Sequence, residues 1–199
     1  MERIDRRTAI TRLVQIVGTT GVVFSTPSLA EAESSSSQGV PATATDLPYP
    51  AVVQNVVAKG FPGWRLPARC DVLHDWADNF DPRSLSPILA RGDFFGDKND
   101  SFAFIIMKDD QYKIVLAREL TSGIQVFELT EGHGLPQCMY VHAVKPGTHR
   151  VGESVRHNEE GPIEVTIKHS GIEVGLFESA SCLYFWNDSS SFLHQWMSD

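Results

Sequence analysis

The chain has 199 residues, 42% of them hydrophobic and 21% charged, with 17 Lys and Arg against 25 Asp and Glu. That composition belongs to an ordinary globular chain and excludes wholesale disorder. A formal charge of -8 without a basic stripe argues against nucleic acid or an anionic lipid face as the partner, because both would repel it.

In chain order, Met1 to Arg12 carries the pair Arg6-Arg7, Leu13 to Phe24 is modestly apolar, and STPSLAEA places small residues at Ala30 and Ala32. These are the three regions of a secretory signal, so residues 1–32 are expected to be a signal peptide and the protein to be periplasmic or secreted in a bacterium. DRRTAI resembles the twin-arginine export motif, with Ala9 departing from the large apolar residue usual there. The alternative is a retained anchor. It ranks second, because about 12 apolar residues fall short of the roughly 20 that span a bilayer. No stable membrane anchor is expected after signal removal. Taking Arg3, Arg6, Arg7 and Arg12 from the 17 basic residues, and Glu2, Asp5 and Glu31 from the 25 acidic ones, leaves 13 against 22, or -9.

Residues 33–46, ESSSSQGVPATATD, have nothing to bury and read as a flexible linker. A single mainly-β domain is expected over 47–199. Val52, Val53, Val56 and Val57 stand at helical spacing within Pro48 to Lys59, with Gly60 where a C-terminal cap would be, so a short helix is expected despite the β-branched side chains. FPGWRLPARC is an irregular lead-in, and Asp71 to Phe80 has room for one or two helical turns.

Beyond residue 100 the period changes from 3.6 to 2. Ser101 to Lys108 is apolar at six consecutive positions, as in a strand covered on both faces. Asp109-Asp110 turns the chain, and Tyr112, Ile114 and Leu116 alternate on the return. Strands are expected around Ile124 to Leu129, Cys138 to Val144, Ile163 to Ile167 and Ile172 to Leu176, the last two joined by a turn at Ser170-Gly171. Leu183 to Trp186 and Phe192 to Met197 form a final hairpin. The fold class is therefore mainly β (α+β): a short N-terminal helix or helices, then one twisted antiparallel sheet of about seven or eight strands. A parallel βαβ fold is disfavoured, because no long helices alternate with the strands.

Gly92-Asp93-Phe94-Phe95-Gly96-Asp97, followed by Ser101-Phe102-Ala103, resembles the GDFNGDGxxDYA loop of FG-GAP and VCBS-type repeats, where it binds calcium. The tail from Gly171 to Asp199 is similar to the ending of small exported bacterial proteins of unknown function that carry one such loop. A full propeller is not implied, since one loop means at most one blade. The resemblance implies a calcium site at Asp93 and Asp97, with Asp100 one residue out of register. The pattern's third position is Phe95 and its ninth Ser101, so two of four side-chain oxygens are lost or weakened for an ion that wants six to eight. The preferred reading is a tight turn whose Asp side chains bond their own backbone, with no cofactor.

Cys70, Cys138 and Cys182 allow one disulfide in an oxidising compartment. The preferred pairing is Cys70 with Cys138, although Cys138 and Cys182 also read as small core residues of strands. The seven His, at 74, 133, 142, 149, 157, 169 and 194, show no zinc spacing; His142 and His149 could converge from neighbouring strands. Asp71 and His74 stand one helical turn apart without a nucleophile motif. Trp64, Trp76, Tyr184, Trp186 and Trp196 read as packing rather than a sugar platform.

No catalytic constellation is visible, so an enzyme is not expected. The leading expectation is an exported non-catalytic domain that binds a protein partner in the cell envelope. Its sharper form is an inhibitor or immunity protein using acidic loops such as Gly132 to Pro136 and Gly152 to Pro162. The alternatives are a calcium-stabilised structural module, or an enzyme with a dispersed site for which Asp71, His74 and His142 would be tested first. Phe94 and Phe95, if displayed, would form an apolar interaction patch.

Overall fold

The computed structural model describes residues 22–24, 47–71, 84–133, 139–152, 164–176, 180–187 and 191–198. In chain order these form β1 (Val22–Phe24), α1 (Ala51–Gly60), a 3-10 turn (Arg69–Asp71), β2 (Leu89–Gly92), β3 (Ser101–Lys108), β4 (Gln111–Leu120), β5 (Gly123–His133) and β6 (Met139–Val144). They continue as β7 (Gly147–Arg150), β8 (Glu164–Ile167), β9 (Gly171–Leu176), β10 (Ser181–Asn187) and β11 (Ser191–Ser198).

All four valines of α1 are buried. Burial gives each about 1.5 kcal/mol or more, against roughly 0.5 kcal/mol of helix propensity lost by a β-branched residue; packing wins. Pro50 precedes the first turn, and the helix closes through the Phe61 N–H to the Val57 carbonyl, so Gly60 is the last helical residue rather than the cap beyond it. The lead-in then runs along β3. Arg65 exchanges both backbone hydrogen bonds with Met107, which continues the sheet edge beyond β2. Asp71 accepts from Arg65 Nη1 and Nη2 at 2.5 and 2.9 Å and from the Ala68 N–H at 2.7 Å.

The fold is mainly β and antiparallel, as expected, but the strands do not make one sheet. β2 to β5 form the first sheet in the order β5-β4-β3-β2, with β1 added on the outer side of β5; β11-β10-β9-β6 form the second; β7 and β8 pair separately. The reason lies in β3 and β4, which are buried on both faces. Side chains on cross-strand partners share a face. Phe104, Ile106 and Val115 thus lie on one face, with Lys113 reaching over Trp64 just after α1, and the helix packs on β3, β4 and β5. The opposite face carries Ala103, Ile105, Ile114, Leu116 and Phe127 and needs a second cover. The second sheet supplies it, so the layers are helix, sheet and sheet.

The turn expected at Ser170-Gly171 does not join two paired strands. β8 pairs with β7, whereas β9 pairs with β6 and β10, so this connection crosses from the ribbon to the second sheet. The β3–β4 hairpin forms as expected across Asp109, at φ 54°, and Asp110; Asp tolerates that left-handed conformation. The final hairpin pairs Trp186 with Phe192 and Cys182 with Trp196. On the outer face of the second sheet, Ile167 and Leu183 are buried apart from the main core and meet over Gly171. The expected helical turns of 72–80 lie outside the described residues.

Candidate functional site

The acidic loop between β2 and β3 is a packed joint. Asp93 accepts from the Gly96 N–H at 2.7 Å and the Lys98 N–H at 3.1 Å, and Asp97 accepts from the Asn99 N–H at 3.0 Å. This is the side-chain-to-backbone pattern by which Asp stabilises turns. The second Asp97 oxygen receives Arg118 Nη1 at 2.9 Å, and Asp100 is ion-paired with Arg91. That pairing, chiefly its hydrogen bond, holds the Asp100 carboxyl below the usual range. The three carboxylates are engaged separately, and among the described residues no group of three His, Cys, Asp or Glu side chains is placed to hold a metal ion.

Phe94 and Phe95 are buried at 0% and 6% exposure, so they form no displayed patch. Phe95 is the hub between the sheets. Its ring lies 5.4 Å from Phe127 of the first sheet, 4.9 Å from Trp186 and 5.3 Å from Phe192 of the second, and the Arg118 guanidinium caps it at 3.8 Å. The Asp93 carbonyl accepts from the Ser170 N–H at 3.2 Å, tying the loop to the crossing before β9. Ser101, at the ninth position of the loop pattern, is fully buried, and its hydroxyl has no partner among the described residues.

The remaining candidates fall apart spatially. Asp71 is held by Arg65, whose hydrogen bond keeps its carboxyl below the usual range, while His74 and Cys138 lie outside the described residues. Cys70 is exposed on the 3-10 turn and Cys182 is buried, its thiol pushed up to about 12 by burial. His142 and His149 do not share partners: His142 Nδ1 lies 3.5 Å from Ser86 Oγ, whereas His149 Nε2 bonds the Lys145 carbonyl at 2.9 Å. The acidic loops named from sequence are described only at Gly132, His133 and Gly152. Trp64, Trp186, Tyr184 and Trp196 pack in or against the core, as expected, and Trp76 lies outside the described residues.

The site that sequence reasoning missed is an open groove of about 520 Å³ where the two sheets meet. Pro48, Pro50 and Phe102 form an apolar wall, and Ser84, Ser86, Arg91 and His142 bring polar groups to it. Arg91 stands 5.8 Å from the centre of the Phe102 ring, and the His142 ring 5.2 Å from that of Tyr140. None of the described lining residues is acidic, in a chain of net charge -8. Leu85 supports the groove from below. It is buried at 2% exposure with φ 58°, a left-handed conformation a branched side chain rarely takes, and its carbonyl accepts from the Ile88 and Leu89 N–H groups at 2.9 and 3.0 Å. Such outliers persist where the surrounding structure fixes them and cluster at functional sites.

His142 faces Glu173 across β6 and β9, but that carboxylate accepts from Tyr140 Oη at 3.0 Å. The groove thus offers hydroxyl, guanidinium and imidazole donors beside an apolar wall, which is the make-up of a binding site. Comparison with protein-family models, curated proteins and solved structures finds no match to this chain.

Proposed function

We propose that this protein is an exported, non-catalytic binding domain whose macromolecular partner in the bacterial envelope seats part of its surface in the groove beside Arg91 and His142. The observation that carries this reading is the groove itself, a recess with mixed polar and apolar lining and no acidic side chain among its described lining residues, on an acidic body. The acidic body steers a basic partner by long-range attraction, and an inhibitor or immunity protein that covers a toxic hydrolase is the sharper form of the reading. A binding role also suits the polar groups present: the carboxylate opposite His142 is bonded to a tyrosine rather than to the imidazole.

The test is to plug the groove. Ala143 lines it and is exposed, so Ala143→Trp fills space without entering the core. Wild-type and variant proteins would be used to retain partners from the host's envelope extract, with melting curves to show equal folding. A stoichiometric protein held by wild type and lost on Ala143→Trp is the expected result; the same proteins retained by both would sink the proposal.

A further inference from the structure

Resting on that reading, we infer that the groove is a subsite for an acidic side chain of the partner, its carboxylate held by Arg91 and His142 and a neighbouring apolar side chain laid against Pro50 and Phe102. Shape limits the occupant to side chains. β2 packs directly against β6, and the Val141 N–H donates to the Pro87 carbonyl at 2.7 Å just ahead of β2, so the two sheet edges are in contact. The recess of about 520 Å³ falls within the roughly 300–1,000 Å³ of sites that enclose small ligands. The left-handed backbone at Leu85 buries that side chain while Ser84 and Ser86, on either side of it, bring their hydroxyls to the lining.

Charge selects the occupant. Arg91 and His142 are the ionisable groups among the described lining residues, so a basic side chain would meet no counter-charge there. Both keep donors open. Asp100 takes the Arg91 guanidinium through Nη2, which leaves the N–H groups of Nη1 and Nε for a second acceptor and holds the head group in place. His142 Nδ1 faces Ser86 Oγ at 3.5 Å; with Nδ1 accepting the hydroxyl proton, Nε2 carries the ring hydrogen as a donor. Arg91 is 63% exposed and within reach of an incoming group. Body and groove then read different features of one partner: the net charge of -8 attracts a partner that is basic overall, and the groove fixes its register through a single acid, as close charge pairs do across interfaces.

The probe is acetyl-Phe-Glu-amide, with acetyl-Phe-Gln-amide as its neutral match, titrated into the full chain and followed by NMR of the backbone amides. The acid should shift the amides of 90–91 and 142–143. The Gln peptide should bind about tenfold or more weakly, and Arg91→Ala should lose the same factor for the acid, the size of effect expected for a hydrogen bond to a charged group. Ala143→Trp should abolish the shifts. Equal binding of the two peptides to wild type would overturn the inference, as would undiminished binding to Arg91→Ala, shifts confined to other surfaces, or no binding of the acid. Melting curves identify a variant that fails to fold, and the comparison of the two peptides on wild type decides without it. If an envelope protein is lost on plugging the groove while the acid peptide does not bind, the binding reading stands and only the acidic anchor falls. If the peptide binds and no envelope protein tells wild type from Ala143→Trp, the anchor stands and that reading falls.

Discussion

At Gly96 the backbone sits at φ +75°, and a methyl group there would come within 2.2 Å of the His169 ring. Gly96→Ala therefore has to strain the backbone and displace the imidazole, and unfolding in urea should show a loss of about 1–3 kcal/mol. Phe95→Ala should cost more, about 3–5 kcal/mol by the usual price of emptying a buried aromatic site, because its ring touches both sheets. The same loop decides the calcium question. With Asp97 on Arg118 and Asp100 on Arg91, a cation would have to compete with two guanidinium groups. The expected outcome is a melting temperature that neither EDTA nor added calcium chloride moves; a clear rise with calcium would show that the carboxylates re-aim on an ion. The Asp and Gly spacing of this loop is legible in the sequence, and so is its turn. That Arg118, 21 residues away along the chain, takes Asp97 is not, because nothing local encodes which face of β4 meets the loop.

Among the elements, those whose partners are close in sequence were the legible ones. The valine spacing marks α1, and Asp109-Asp110 between two apolar runs marks the β3–β4 hairpin. The division into two sheets was hidden, since alternation tells which side chains are buried but not which strand lies alongside. β6 pairs with β9, placing Met139 opposite Leu176 and Val144 opposite Gly171, rather than with β5, which precedes it. The groove is not legible for the same reason: its lining runs from Pro48 to Ala143, and of those residues the sequence marks His142 as a site candidate and Phe102 only as part of the loop pattern. β1 carries a prediction of its own. The described part of residues 1–32 is Val22–Phe24, which pairs by its backbone with Ile124 to Val126, whereas the main core begins at Leu47. Removing residues 1–32 should change the unfolding free energy by less than about 1 kcal/mol, since short edge pairings fray easily. A larger loss would make β1 an integral strand of the fold.

Across the whole molecule, the buried ionisable groups predict how stability varies at high pH. Burial pushes the Cys182 thiol from 9.0 to about 12 and the Tyr112 phenol from 10.0 to about 12. Tyr140 is raised to about 12, by burial first and then by the neighbouring Glu173 carboxylate, and Tyr184 is raised in the same sense, chiefly by burial. All four are acids that the folded state keeps neutral. Their contribution is fully present below the unfolded values of 9.0 and 10.0, where both states hold the proton. As pH rises past those values the unfolded chain ionises first and is favoured, and the loss continues up to the folded values. Urea midpoints should therefore be level from pH 7 to about 9 and fall steadily toward pH 12, with the phenolate absorbance of Tyr112 and Tyr184 appearing together with unfolding. Cys182→Ala should flatten the first part of that fall, because the thiol begins to titrate a unit below the phenols. Phenolate absorbance that rose near pH 10 while the protein stayed folded would instead place these tyrosines in contact with solvent and contradict the packing of the two sheets.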